Sequence, residues 1–85
     1  MRVLVLFTHP VETSFAAALH AKVVGVLRGS GHKVDDCDLY AEGFDPVMSR
    51  QDRIDYHNVA FNRRNVAPYV DRLLAAEALV FSYPV

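Results

Sequence analysis

Residues 2–27, RVLVLFTHPVETSFAAALHAKVVGVL, decide the fold because their hydrophobic pattern changes halfway along. The run Val3–Phe7 is continuously apolar and rich in β-forming residues, which is typical of a strand buried on both faces of a parallel sheet. Beyond the turn at residues 8–10, apolar residues recur at helical spacing from Ser14 to Arg28, and Gly29-Ser30-Gly31 ends the pattern. This helix is expected to have Thr13 or Ser14 as its cap and a core-facing stripe of Phe15, Ala18, Leu19, Val23, Val26 and Leu27.

The next segment, His32–Leu39, predicts a second and more polar strand, with only Val34 and Cys37 as interior apolar positions. Carboxylates are costly in a central strand, so we expect this strand at an edge of the sheet with its acidic side chains in solvent. The acidic residues on which this placement depends are Asp35, Asp36 and Asp38.

The rest of the chain predicts two further helices and a third strand. Residues 40–64 are irregular, but Ser49–Asp52 resembles a capping box, which indicates a short helix near residues 50–57. Asn65 is expected to cap a longer helix that tolerates Pro68 in its first turn. Its apolar stripe would be Val66, Val70, Leu73 and Leu74, and Ala78–Ser82 would form the third strand.

These elements follow the order β-α-β-α-β, which calls for a parallel sheet with right-handed crossovers. With the polar second strand at an edge, the spatial order is 2-1-3, the first half of a flavodoxin-like sheet whose complete order is 2-1-3-4-5. The third strand would then have an unpaired edge although its sequence is that of a central strand. We therefore expect residues 1–85 to be the N-terminal part of a single flavodoxin-like α/β domain, a three-layer parallel sheet truncated after its third strand.

Composition and charge exclude several classes of function. The formal net charge of -1 argues against binding to nucleic acid or to acidic membranes. The single cysteine, Cys37, excludes an internal disulfide and is expected to be a small buried hydrophobe. The apolar run after Met1 is too short for a signal peptide or for insertion into a membrane, so we expect a cytoplasmic location. The histidines have no spacing typical of a metal site.

The candidate binding site lies beyond the carboxyl ends of strands one and three, where strand order reverses and ligands of such sheets bind. The loops that meet there are Thr8–Ser14 and Ser82–Val85. Amides in Ser14–Ala16 lack intrahelical acceptors, so with the helix dipole and the hydroxyls of Thr13 and Ser14 they make an anion site. His9 can add a donor, and the turn lacks the glycine-rich fingerprints of Rossmann and Walker sites.

Three segments resemble the NAD(P)H:quinone oxidoreductase (DT-diaphorase-like) family. They are His9-Pro10-x-x-Thr13-Ser14-Phe15, then DLYAEGFDP at residues 38–46, and LAAEALVFSYP at residues 74–84. The likeness spans essentially the whole chain, with the segments in the family's order. Members of the family are flavoproteins, commonly dimeric, that pass a hydride from NAD(P)H through FAD or FMN to quinones and similar acceptors.

This resemblance implies a cofactor site without a catalytic side chain. Carried over by position, His9, Thr13, Ser14, Phe15 and Ala16 would hold the phosphate region of the flavin, although some relatives have Asn at position 16. Tyr83, Pro84 and Val85 would begin the loop that lies against the flavin ring. The complete protein is expected to be a homodimeric oxidoreductase with FAD or FMN, NAD(P)H as co-substrate and a quinone-like acceptor, whereas the 85 residues alone are expected to be inactive.

Two other functions stay open at this point. Similar flavoproteins serve as cytoplasmic regulatory subunits of potassium-efflux systems, and a truncated product could have no function of its own. Single residues also have plainer interpretations. His9 could be a turn residue whose ring bonds a nearby carbonyl, Phe15 a core residue that offers a ligand only its amide, and His20 and His32 solvated or structural.

Overall fold

Strand β1 (Arg2–Phe7) lies at the centre of a three-stranded parallel sheet in a computed structural model that describes residues 1–84. Strand β2 (Lys33–Asp38) pairs with one side of β1, and strand β3 (Ala78–Ser82) pairs with the other. The predicted order 2-1-3 is therefore confirmed. Phe7 is in register with Asp38 on one side and with Ser82 on the other, so the three strands end at the same edge of the sheet.

Helix α1 (Phe15–Gly29) covers one face of the sheet, but its buried side differs from the predicted stripe. Val24 is buried against Val3 and Val5, with Leu27 half-buried beside them. The side chain of Phe15 is 83% exposed, so its predicted core position is wrong. Because the helix is apolar around much of its circumference, packing against the strands decides which side is buried. The other members of the predicted stripe that are exposed instead are Ala18, Leu19 and Val26.

Helix α2 (Arg50–Ile54) begins with the predicted capping box. The Ser49 hydroxyl accepts the Asp52 amide hydrogen at 3.0 Å, and the Asp52 carboxylate accepts the Ser49 amide hydrogen at 2.9 Å. The helix ends three residues earlier than the sequence indicated, because Asp55 already closes it with bonds to the carbonyls of Arg53 and Gln51.

Helix α3 (Ala67–Ala75) packs on the opposite face of the sheet from α1, with Pro68 in its first turn as predicted. The prediction that Asn65 caps this helix is wrong. Asn65 lies inside a 3₁₀ turn, Arg64–Val66, and its side-chain amide donates to Asp52. The 3₁₀ turn runs directly into the helix, and no side chain caps the first helical turn.

The core is thin and is built around the central strand. Its buried hydrophobic members are Val3, Leu4, Val5, Phe7, Val24 and Cys37. A cavity of about 210 Å³ remains between α3 and the sheet. The radius of gyration is 14.8 Å, whereas a compact domain of this length would have a radius of about 12 Å.

The outer edge of β3 is unpaired within residues 1–84, as the sequence indicated. On the α3 side of this strand, Leu79 is 44% exposed and Phe81 is 62% exposed. The strand therefore has the composition of a central strand but only part of its burial.

Cys37 is the buried hydrophobe that the sequence predicted, with 1% of its surface exposed. Burial raises the pKa of its thiol to about 11, and the negative charges of Glu42 and Asp35 act in the same direction against the opposing effect of Arg72. The thiol is therefore protonated at neutral pH and unsuited to act as a nucleophile.

Candidate functional site

The turn from β1 to α1 is organised by the Ser14 hydroxyl. Of the two predicted caps, Ser14 is the one used: its hydroxyl accepts the Ala17 amide hydrogen at 3.1 Å, and its carbonyl accepts that of Ala18. The amide hydrogens of Phe15 and Ala16 have no hydrogen-bond acceptor within residues 1–84. The first turn of α1 contains no acidic residue. A fixed helix N-terminus with two free donors and no carboxylate in its first helical turn is suited to an anion.

His9 is positioned by a bond within the same turn. Its Nδ1 accepts the Val11 amide hydrogen at 3.0 Å, so the neutral ring must carry its proton on Nε2. Nε2 has no partner within residues 1–84 and is free to donate. The plainer interpretation is correct in making His9 a turn residue, but its ring bonds an amide and not a carbonyl.

The loop after β3 lies beside this turn. The Thr8 amide hydrogen is donated to the Ser82 carbonyl at 3.2 Å, which ties the two loops together at the switch point. Tyr83 is 65% exposed and Pro84 is also exposed, so both are accessible at this edge. Val85, the last predicted site residue, lies outside the described residues. Binding by the predicted residues remains a prediction.

Phe15 and Thr13 stand at the outer side of the turn. Thr13 is exposed and makes no capping bond, because Ser14 fills that role. The ring of Phe15 projects into solvent next to the two free amides. Exposure therefore leaves its ring, and not only its amide, available to a ligand.

A second polar group that the sequence did not reveal lies behind the turn. The His20 ring is stacked on Phe7, with ring centroids 4.1 Å apart, and its Nε2 lies 2.7 Å from a carboxylate oxygen of Asp36. His20 is thus structural, which is one of the two roles expected for it. The sequence signal is its helical spacing from Val24, since two residues four positions apart share one side of a helix.

The three carboxylates of β2 are engaged rather than merely solvated. Asp35 accepts two bonds from the Arg72 guanidinium at 2.8–2.9 Å, and Asp36 pairs with His20. Asp38 accepts the Ala41 amide hydrogen at 3.1 Å. The Arg72 hydrogen bonds lower the pKa of Asp35 against the opposing effect of burial. The edge position was predicted correctly, and the carboxylates are partly exposed there, but the sequence did not reveal their hydrogen-bond partners.

Sheet order and the helix N-terminus at its switch point place the chain in the class of doubly wound α/β proteins. The model of the family described as having a flavodoxin-like fold matches residues 1–85, and the chain belongs to this family.

Two relatives of this chain are named for quinone reduction. The chain is 28% identical to the NAD(P)H dehydrogenase (quinone) 1 of Rattus norvegicus over 99 residues, covering 98% of this chain and 36% of that protein. It is 41% identical to the protein of the same name from Cavia porcellus over 51 residues, covering 60% of this chain and 18% of that protein. The crystal structure of Smu.1420 from Streptococcus mutans aligns with the whole chain at a TM-score of 0.71 and 35% identity, covering 44% of its own length.

The chain thus spans less than half the length of each of these relatives. Within residues 1–84, no helix combines the length and the apolar character needed to cross a membrane.

Proposed function

We propose that the turn from His9 to Ala16 binds the phosphate of a flavin, FAD or FMN, and that the site serves hydride transfer from NAD(P)H to a quinone-like acceptor. The observation that carries the proposal is the pair of free amides at Phe15 and Ala16, held by the Ser14 cap at the switch point of the sheet. Membership of a flavodoxin-like family, together with relatives named as quinone dehydrogenases, supports a flavin as the phosphate-bearing ligand.

The residues of this chain would bind and orient the flavin. Ser14 keeps the helix N-terminus in place, the two free amides would donate to phosphate oxygens, and His9 Nε2 would add a third donor. Tyr83 and Pro84 would lie towards the flavin ring on the β3 side. When bound, the flavin would supply the redox chemistry by accepting a hydride and passing it on, so the mechanism requires no side chain as nucleophile or general base.

We propose further that hydride transfer needs residues that the relatives possess outside the matched segment, and that the complete protein is a homodimer. The 85-residue chain with added flavin is then expected to oxidise NADPH in the presence of menadione no faster than free flavin. Turnover clearly above the flavin-only control would contradict this part of the proposal.

Phosphate binding at the turn is tested by titrating the ¹⁵N-labelled chain with FMN and with riboflavin, which lacks the phosphate. We expect FMN to shift the amide resonances of Phe15 and Ala16 at concentrations at which riboflavin does not, because these two amides are the free donors. Equal shifts from the two flavins, or shifts confined to other residues, would contradict phosphate binding at the turn.

Two serine variants distinguish a specific effect on flavin binding from the general effect of removing a helix cap. Ser14→Ala is expected to weaken FMN binding about tenfold, because a frayed helix start no longer presents the two amides together. Ser49→Ala removes the same kind of cap from α2, outside the turn, and is expected to leave FMN affinity within about twofold.

A further inference from the structure

The cavity between α3 and the sheet has no role in the function described so far. Its volume is about 210 Å³, and its floor is formed by Leu4 of β1 and Cys37 of β2, which are 2% and 1% exposed. No residue of the turn from His9 to Ala16 lines it. A molecule bound in this cavity would therefore be separate from the flavin.

The lining of the cavity is almost entirely hydrocarbon. Most of its side chains carry no polar atom, and the exceptions are Cys37, Tyr69 and Arg72. The Arg72 guanidinium is already bonded to Asp35 at 2.8 Å and to Glu42 at 2.7 Å, and a thiol is only a weak hydrogen-bond donor. Because a buried water molecule needs two to four polar partners, the lining favours an apolar molecule over water.

The volume of the cavity limits the size of its ligand. In another protein, an apolar cavity of about 150 Å³ stays free of water and binds benzene or xenon. The cavity at α3 is somewhat larger than that. It therefore has room for a molecule of the size of a single aromatic ring.

The segment after β2 covers one side of the cavity. Residues 41–44 form a lid, to which Phe44 contributes the side chain that lines the cavity. All four backbone amides of the lid donate to residues 38–40. None of these bonds belongs to the pairing between strands, so the lid can open locally while the sheet stays paired.

Side chains of α3 hold the lid closed through two contacts. The Arg72 guanidinium bonds to the Glu42 carboxylate, and the Phe44 ring meets the Tyr69 ring edge-on, with the ring centroids 4.8 Å apart. The Glu42 side chain is 33% exposed, so water competes for this ion pair and the contact is weak enough to break without unfolding of the chain.

We propose that this cavity binds a small apolar molecule of the size of a single aromatic ring, and that the lid admits it when Glu42 and Phe44 leave α3. The site is independent of the proposed flavin site, because the two have no lining residue in common.

Binding is tested on the wild-type ¹⁵N-labelled chain with benzene as the probe. Benzene is expected to shift the amide resonances of Cys37 and Val70 to saturation while leaving that of Phe15 in place. Val70→Phe puts a ring into the cavity and is expected to abolish the shift at Cys37, whereas Val59→Phe, at a position that is 80% exposed, is expected to preserve it. The absence of saturable shifts at the cavity in the wild-type chain would overturn the site.

Opening of the lid is tested through Cys37, the only cysteine of the chain. The rate of its modification by N-ethylmaleimide is measured at increasing urea concentrations below the unfolding transition. We expect a rate that hardly changes with urea at first, because opening of the lid exposes far less surface than global unfolding does. A rate that rises from the lowest urea concentrations with the full slope of global unfolding would overturn the lid.

Two arginine variants show whether α3 holds the lid. Arg72→Met is expected to raise the urea-independent rate about fivefold, since it removes the ion pair with Glu42. Loss of the Arg72 charge alone would slow the reaction, because Arg72 lowers the pKa of the Cys37 thiol. Arg64→Met breaks an ion pair with Asp55 outside the lid and is expected to leave the rate within about twofold. An unchanged rate in Arg72→Met would contradict the role of Arg72 in holding the lid.

Discussion

The variant Val5→Asp is expected to be unfolded at neutral pH. Val5 has no exposed surface, lies at the centre of β1 and packs against Val24 of α1. An aspartate there would have no cationic partner and would lie in register with Asp36, so its charge would be both buried and repelled. The cost of several kcal/mol is comparable with the whole stability of about 4–13 kcal/mol that is usual for a chain of this length.

The measurement is the far-UV circular dichroism spectrum together with urea unfolding. Val59→Asp is the matched control, because Val59 is 80% exposed and the same substitution is expected to change stability by no more than about 0.5 kcal/mol. A cooperative urea transition of Val5→Asp at the wild-type midpoint would show that the strand is not the centre of the core.

The second large effect is expected at Arg72, which joins three elements of the fold. From α3 its guanidinium bonds to Asp35 on β2 at 2.8 Å and to Glu42, in the segment after β2, at 2.7 Å. Arg72→Met keeps much of the side-chain volume but leaves both carboxylates without their cation. We expect a loss of about 1–2 kcal/mol at pH 7, less than for a fully buried pair, because the two carboxylates are about one-third exposed and partly screened by water.

Urea unfolding at pH 7 measures this loss as a lower midpoint. The control is Arg63→Met, since the Arg63 side chain is exposed and makes no hydrogen bond or ion pair within residues 1–84. Equal midpoints for the two variants would show that the Arg72 contacts do not stabilise the chain.

The difference in stability between wild type and Arg72→Met should depend on pH, because Arg72 binds the ionised carboxylates of Asp35 and Glu42. Hydrogen bonds from Arg72 lower the pKa of Asp35 and of Glu42 in the folded chain. The stabilisation is therefore complete above their unfolded pKa values of about 3.9 and 4.3, and it is lost as the pH falls through the lower folded values. The difference in stability between wild type and Arg72→Met is expected to shrink from pH 6 to pH 3. A difference that stays constant over this range would exclude ionised carboxylates as its source.

Local signals account for the parts of the fold and the site that could be predicted. The apolar run of β1, the capping box at Ser49 and the polar strand at the edge were all predicted from a few neighbouring residues, and the order 2-1-3 followed from their sequence along the chain. The start of α1 directly after the turn from β1 was predicted for the same reason. A helix that starts directly after a buried parallel strand leaves its first amides free wherever the chain later goes.

The sequence by itself therefore determined the elements, their order and the helix N-terminus at the switch point, since propensity, periodicity and capping depend on residues close in the chain. Only the tertiary structure decided that α1 buries Val24 and exposes Phe15, because a helix that is apolar around much of its circumference can bury more than one side until it meets a sheet. The same holds for the partners of Asp35, which come from a helix far along the chain. Long-range pairing has no local signature in the sequence, because the partners meet only when β2 and α3 pack on the same side of the fold.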